Sequence, residues 1–343
     1  MYVKIFLAVL IATLVRIVWL LRVYPWEFNP HGHFGDMLSI DDECDPWTTW
    51  SDDDMKLVNL GKEYTHRTNL LMGCLVRDME KELPFVVKKF STLSGIFQRI
   101  HVIVMENNSK DNTRKIFLNW SKKSPWKNIT FVCVCPETFA INTKECRLTT
   151  FSDNRHGVSF QRIERMAYLR NRLHQYCCEW LNLNPTFEYV LYSDIDLHGI
   201  IYRMGVYHTF GCFLTNDEIQ VIGFRGTTEK GWLWDPYAYE AYSNYGDLGQ
   251  LLSCKIESRY VSISQGLVRV RCSFSGGTFI RAGDITGATE FIPPTLSTYR
   301  YETIQVGPAV LCEHVPFYRN FEHIYINTNM IQTHTNFESR KHS

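Results

Sequence analysis

The 343 residues contain no CxxC pair, no glycine-rich phosphate loop, no internal repeat and no low-complexity tract. Without paired cysteines a structural zinc site is not expected. Without the phosphate loop a nucleotidyltransferase is disfavoured, and without repeats a solenoid is excluded. The formal net charge is zero, and no RNA- or DNA-binding motif is present, so nucleic acid is not an expected partner. Positive charge is absent from one stretch in particular. Residues 23–55 hold nine acids and no Lys or Arg, which leaves the remainder of the chain mildly basic and suited to a small anionic ligand. The eleven cysteines are scattered. Their odd count leaves at least one thiol unpaired in a monomer, although disulfides of the secretory pathway are compatible with the spacing.

One long hydrophobic run stands at the start. Ile5 to Leu21 is apolar except for Thr13 and Arg16, and Lys4 and Arg22 flank it. Crossing a bilayer takes ~20 apolar residues, and Arg16 can snorkel along its aliphatic stem. A cleaved signal peptide is the rival, with an apolar region of roughly 7–15 residues and a small-residue cleavage site. Bulky Val23-Tyr24-Pro25-Trp26 follows instead. The expected organisation is a cytoplasmic tip and signal-anchor over 1–22, an acidic stem over 23–67, and a body over 68–343. That body divides into a ligand half (68–200) and a less regular half (201–343). The body then lies on the lumenal side of the membrane. Asn107, Asn119 and Asn128 each open an N-x-[ST] sequon, as a lumenal glycoprotein allows.

From Asn69 onward, short apolar runs alternate with helical periodicity. Strands are expected at 70–76, 99–105, 129–135 and 189–192, and helices at 79–97, 111–120 and 158–181. Further strands are expected at 219–224 and 267–272, with Ser275-Gly276-Gly277-Thr278 leading into Phe279-Ile280-Arg281. This alternation predicts an α/β domain with a mostly parallel sheet and helices on both faces. Such sheets bind ligands beyond the carboxyl ends of their strands. Arg77-Asp78, Glu106 to Asp111 and Asp194 to Asp196 all fall at strand ends.

The strongest local signal is Asp194-Ile195-Asp196, directly after the apolar strand. Two carboxylates two residues apart on an extended end point the same way. They repel unless a cation lies between them, and Mn²⁺ or Mg²⁺ takes oxygen ligands while also binding diphosphate oxygens. Asp52-Asp53-Asp54 is a similar string with no strand before it, so it carries no such expectation. The segment Glu106-Asn107-Asn108-Ser109-Lys110-Asp111 enters the next helix and admits two readings. Asp111 can cap the helix, or Glu106 and Asp111 can accept hydrogen bonds from a base or ribose. On the long helix, Ile163, Met166, Leu169 and Leu173 form an apolar stripe. Arg162 and Arg170 project into it, with Arg165 and Arg172 on its shoulder. A buried arginine needs an acid or a phosphate; surface arginines that snorkel remain the alternative.

Together the ENNSKDNT turn, the RMAYLRN helix and the strand-borne SDIDL resemble a GT-A fold glycosyltransferase. More narrowly they are similar to the cryptococcal capsule-associated α-1,3-mannosyltransferases. The tail Cys312-Glu313-His314-Val315-Pro316-Phe317, followed by Ile324-Tyr325-Ile326-Asn327, also resembles that family. The resemblance spans roughly residues 68–330. It implies a nucleotide-sugar donor, GDP-mannose in the fungal members, together with Mn²⁺ dependence and a glycan acceptor. By position it places Asp194 and Asp196 at the metal and at the centre of catalysis. Arg77, Glu106, Asn107, Asp111, Arg165, Arg170 and Asn171 fall on the nucleotide. It further suggests that His314 completes the metal site, although a satisfied structural histidine is equally compatible with its residues. Trp232, Trp234, Asp235 and Glu313 are candidates for the acceptor side. A UDP-sugar donor is the first rival, and a catalytically inactive lectin or scaffold of the same fold the second.

Overall fold

The computed structural model describes residues 42–44, 48–123, 129–134, 139–141, 160–196, 199–228, 238–241, 266–286, 300–306, 309–310 and 312–334. The chain divides into residues 1–34 and 35–343, and all described residues belong to the second unit. The expected anchor and Trp232, Trp234 and Asp235 lie outside the described residues. Among the described residues, no helix is long and apolar enough to cross a membrane. Cys74, Cys177, Cys178 and Cys212 are free thiols.

The strands are β1 (Asn69–Val76), β2 (Arg99–Glu106), β3 (Ile129–Val134), β4 (Phe139–Ile141), β5 (Tyr189–Ser193), β6 (Val221–Thr228), β7 (Tyr239–Ala241), β8 (Leu267–Ser273), β9 (Gly277–Arg281), β10 (Gln305–Val306), β11 (Ala309–Val310) and β12 (Ile324–His334). Ten of them form one sheet in the order β4-β3-β2-β1-β5-β9-β6-β12-β8-β7, and β10 pairs with β11 separately. The run β3-β2-β1-β5 is parallel throughout, as expected. Beyond it the directions mix: β9 runs antiparallel to both β5 and β6, while β12 is parallel to β6 and antiparallel to β8. The expectation of a mostly parallel sheet thus holds for the first half of the chain, and the whole sheet is mixed.

Alternation along the central strands explains the layers. Leu70, Met72, Cys74 and Val76 of β1 point into one core, and Leu71 into the other. A strand buried on both faces reads as a continuous apolar run because successive side chains point oppositely. The helices are α1 (Asp52–Thr65), α2 (Leu83–Ser94), α3 (Thr113–Lys123), α4 (Phe160–Leu183), α5 (Arg203–Thr215), α6 (Ala282–Thr286) and α7 (His314–Tyr318). Residues of α1, α2, α3 and α5 contribute to the first core, and those of α4, α6 and α7 to the second.

Helix α1 lies within the stretch expected as stem. Its acids 52–54 occupy the first turn, where negative charge suits the helix dipole. Ser51 and Asp54 cap it reciprocally: the Asp54 amide donates to Ser51 Oγ at 3.1 Å and the Ser51 amide donates to Asp54 Oδ2 at 3.0 Å. Here α1 crosses α5 backbone to backbone. A Cβ on Gly61 would stand 1.8 Å from the Tyr207 carbonyl oxygen, and one on Gly211 2.2 Å from that of Leu57. Only glycine fits at either point.

Strand β1 has β2 on one side and β5 on the other, both parallel to it. The chain passes from β1 to β2 and β3 on one side and returns to β5 on the other, so the strand order reverses between β1 and β5. In such sheets the carboxyl ends of the two strands at the reversal mark the ligand crevice. Val76 and Ser193 end there, and the site is built on the turns that continue from them.

Candidate active site

The loops after β1 and β2 form one wall of the crevice. Asp78 and Asn108 both adopt left-handed backbone, at φ 52° and 54°, a conformation that Asp and Asn tolerate better than most residues. The two loops are laced together. The Asp78 amide donates to Ser109 Oγ (3.1 Å) and the Lys110 amide to Asp78 Oδ1 (2.6 Å). The Glu80 amide donates to Asp111 Oδ2 (2.9 Å), and Asn112 donates to both oxygens of Glu80. Glu106 is fully buried; it accepts from the Ser109 amide at 2.6 Å and from Arg114 Nη2 at 2.6 Å. Asp111 also accepts from the Thr113 amide at 3.0 Å. Burial works to raise its pKa, but these hydrogen bonds outweigh it and hold the carboxyl below its usual value.

These contacts are of the capping kind, which is compatible with the nucleotide reading of the same residues. Glu106 and Asp111 hold the loops in shape. Asn107 is buried, and its amide donates to the Val76 carbonyl at 3.3 Å. Arg77 lies at the same edge, its Nε 3.5 Å from Asp78 Oδ2.

The opposite wall is the turn after β5. The Asp194 amide and Ser193 Oγ both donate to the Gly276 carbonyl, at 3.0 and 3.1 Å. Gly276 sits at φ 91°, a region in which a side chain would be strained. Ile195 is buried in the core, so the turn is anchored by its middle residue while Asp194 and Asp196 flank it on the crevice side. Asp194 is 30% exposed, and Asp196 is exposed. Crowding by protein, then the Asp194 carboxylate, push the Asp196 pKa up to about 6.

Two cations stand behind these acids. On α4, Arg170 Nη2 meets Asp194 Oδ1 at 3.2 Å and Arg170 Nε meets Glu313 Oε1 at 2.9 Å. The guanidinium also lies 5.0 Å over the Phe274 ring. Burial alone would lower its pKa; Asp194 and Glu313 reverse that and raise it. The arginine in the apolar stripe therefore has acids as its partners in this structure. On α2, Lys89 is 1% exposed, and its Nζ donates to the Ile195 carbonyl at 3.5 Å. Burial lowers its pKa to about 8 while Asp196 and Asp194 resist the shift.

Lys89 is not among the candidates that the sequence suggests. The signal was present, since Val86, Phe90 and Leu93 make the buried stripe of α2 and Lys89 falls inside it by helical spacing.

The structure brings Asp194, Arg170, Glu313 and His314 together. His314 is 1% exposed and stacks on Phe274, with ring centroids 3.6 Å apart. Burial, then the Arg170 charge, keep its imidazole neutral, well below the usual pKa. Neither ring nitrogen has a hydrogen-bond partner among the described residues. Glu313 Oε1 is 3.8 Å from Nε2. Asn171 has both ends of its amide engaged with the backbone of Tyr301: Nδ2 donates to O at 2.7 Å and Oδ1 accepts from N at 2.8 Å. It positions Tyr301, whose ring stacks on Phe317 at 4.2 Å. Arg165 is buried on α4 rather than on the shoulder of its stripe.

Among the described residues, no group of three or more His, Cys, Asp or Glu side chains is placed to hold a metal ion. The carboxylate pair still fits one class of ion. Mg²⁺-like ions bind through one or two carboxylates and take their remaining oxygens from water and phosphate.

A cavity of about 480 Å³ lies at the other end of β5, lined in part by Tyr64, Tyr189, Arg281 and Asp284. Arg281 there donates to the carbonyls of Ile219 (2.7 Å) and Phe213 (2.6 Å), closing the end of α5. Asp52-Asp53-Asp54 is remote in role as well, since Asp54 bonds Ser51 and His208.

No protein-family model matches the chain, and no curated protein does. Among solved structures it is similar to residues 1–349 of S. aureus TarS in complex with UDP-GlcNAc, at 12% identity over 78% of this chain and 58% of that one, with a TM-score of 0.41. It is similar to glucosyl-3-phosphoglycerate synthase from Mycobacterium tuberculosis in complex with Mn²⁺, UDP and phosphoglyceric acid, at 14% identity over 88% and 80% of the two chains and TM-score 0.37. A third is GalNAc-T7 with UDP, GalNAc and Mn²⁺, at 10% identity over 78% and 44%, TM-score 0.39. The chain spans about three-fifths of the TarS chains it matches. At these identities and TM-scores the likeness assigns neither a fold family nor an activity.

Proposed function

We propose that the chain is a metal-dependent glycosyltransferase that moves a hexose from a nucleotide-sugar donor to a glycan hydroxyl. One observation carries the reading. Asp194 and Asp196 flank a buried anchor at the carboxyl end of a central strand, beside a crevice made by a reversal of strand order. Asp194 already partners the buried Arg170; a second carboxylate beside it adds negative charge that suits a cation–diphosphate pair.

In this reading Asp194 and Asp196 hold Mn²⁺ or Mg²⁺, which supplies charge neutralisation to the departing nucleoside diphosphate. Arg170 orients Asp194 and keeps a positive charge at the crevice. The interlaced loops 77–82 and 106–113 form a rigid edge against which base and ribose are held, with Glu106, Asn107 and Asp111 shaping it. His314, neutral and with neither ring nitrogen hydrogen-bonded among the described residues, is the candidate for a third protein ligand. The motif resemblance points to GDP-mannose as donor and to a type II membrane protein of the Golgi or ER; a UDP-sugar is the rival donor.

The test is a thermal-shift panel of GDP-, UDP- and CMP-sugars, each with and without Mn²⁺. A true donor raises the unfolding midpoint in a concentration-dependent way by mass action, and does so more strongly with the metal. The absence of any response to every nucleotide-sugar, with and without Mn²⁺, would defeat the enzyme reading and favour the inactive, lectin-like one.

A further inference from the structure

Beneath the Asp194-Ile195-Asp196 turn lies a buried ammonium that the proposed reaction does not use. Lys89 comes from α2 on the first face of the sheet, whereas Arg170 comes from α4 on the second. The two cations reach the same turn from opposite sides of β5. Lys89 Nζ donates to the carbonyl of Ile195, the residue between the two carboxylates, at 3.5 Å. Arg170 meets Asp194 at 3.2 Å and Glu313 at 2.9 Å. Among the described residues, three acids and two bases thus share the site, a balance of one negative charge. A free divalent cation enters against two fixed positive charges. A free diphosphate enters against three negative ones. A metal–diphosphate complex meets neither obstacle in full, since each member neutralises what repels the other.

We infer that Lys89 is a positioning residue whose buried charge lowers the affinity of the Asp194–Asp196 site for metal alone and raises it for the diphosphate, so that the two load together. The inference rests on the glycosyltransferase reading above and adds to it the way in which the site is charged. Lys89 touches no reacting atom; it acts through the turn. A lysine kept only for packing would be replaced without loss by a side chain of similar length, because its aliphatic stem is what the core contacts.

The decisive feature is the sign of two separate shifts. Removing a positive charge within a few ångströms of the site strengthens cation binding and weakens anion binding, whereas loosening the turn weakens both. The full chain is prepared with Lys89→Met, which keeps the length, and with Lys89→Gln, which keeps a donor toward the Ile195 carbonyl without the charge. Folding of each is checked by its thermal midpoint. Binding of Mn²⁺ alone is followed by the electron paramagnetic resonance signal of the free ion, and binding of GDP and of UDP by calorimetry in the presence of EDTA.

In both variants Mn²⁺ should bind tighter, on the order of tenfold, and the nucleotide weaker, by about threefold or more. Shifts of the same sign, or no shift in a folded variant, overturn the inference and leave the glycosyltransferase reading standing. If the unmodified protein binds neither Mn²⁺ nor either nucleotide, that reading falls and this one with it. If Lys89→Met fails to fold, Lys89→Gln decides alone.

Discussion

Arg170 is the residue whose removal tests the site most sharply. It is 8% exposed and joins two acids from distant parts of the chain. Breaking a buried ion pair by deleting one partner costs ~3–5 kcal/mol, because the other charge is left uncompensated. The Glu313 arm, at 2.9 Å and with Glu313 6% exposed, carries more of this than the Asp194 arm, at 3.2 Å and with Asp194 30% exposed. For a domain of this size a loss of ~3 kcal/mol corresponds to a drop of roughly 4–6 °C in the unfolding midpoint. Arg170→Met keeps the stem over Phe274 and removes the charge.

The assay is chemical denaturation of Arg170→Met, Glu313→Gln and the double variant, with donor binding measured on the same samples. The double variant should recover a large part of the loss, with a coupling of ~1 kcal/mol or more. Donor affinity should also fall, on the order of tenfold, because Asp194 loses the group that orients it. Additivity within ~0.5 kcal/mol would refute the bridging role. Lost stability with unaltered nucleotide and metal binding would confine Arg170 to structure.

Asp196→Asn should fold as the parent does, since the residue is exposed, and lose most transfer activity; full turnover with Mn²⁺ present would remove the metal assignment. His174 is buried, with its Nδ1 2.8 Å from the Tyr192 hydroxyl, and burial lowers its pKa to about 4. Its folded pKa lies below the unfolded value of ~6.5, so its contribution is complete above pH ~6.5 and is lost as pH falls towards 4, by up to ~3 kcal/mol. Urea unfolding at pH 7.5 and 5 should show this slope, and His174→Gln should reduce it in part, since buried His101, His208 and His314 shift in the same direction; an unchanged slope in the variant would assign the titration to those residues. Gly61→Ala should push α1 away from α5 at a cost of ~1–3 kcal/mol or more, read as a lowered urea midpoint; a neutral result would mean that the helices cross less closely. The expressed chain should remain in the membrane fraction after alkaline carbonate washing, and recovery as a soluble, N-terminally trimmed form would show Met1 to Arg22 to be a signal peptide.

The sequence was sufficient for those parts of the molecule where local pattern and burial agree. Strands β1, β2 and β5 are buried on both faces and read as unbroken apolar runs, and α4 shows its stripe over many turns. The carboxylate pair was legible as a candidate because Asp-Ile-Asp stands directly after an apolar strand, where polar residues mark a strand end. Helix α5 is not legible because it is buried nearly all round, so no polar face marks a period. Helix α1 reads as stem because its acids 52–54 resemble a solvated run, while its glycine contact with α5 depends on a residue about 150 positions away.

What only the tertiary structure decided is the pairing of charges. A sequence places Arg170 in an apolar stripe and Lys89 in another; it does not say which acid each meets. Partners separated by 24, 143 and 106 positions are joined at one turn, because the sheet brings the end of β5 against both of its helical layers. The same holds for Glu106 and Asp111. Their chemistry suits a ribose or a helix cap equally, and the backbone amides of Ser109, Glu80 and Thr113, placed by two adjacent parallel strands, are what occupy them.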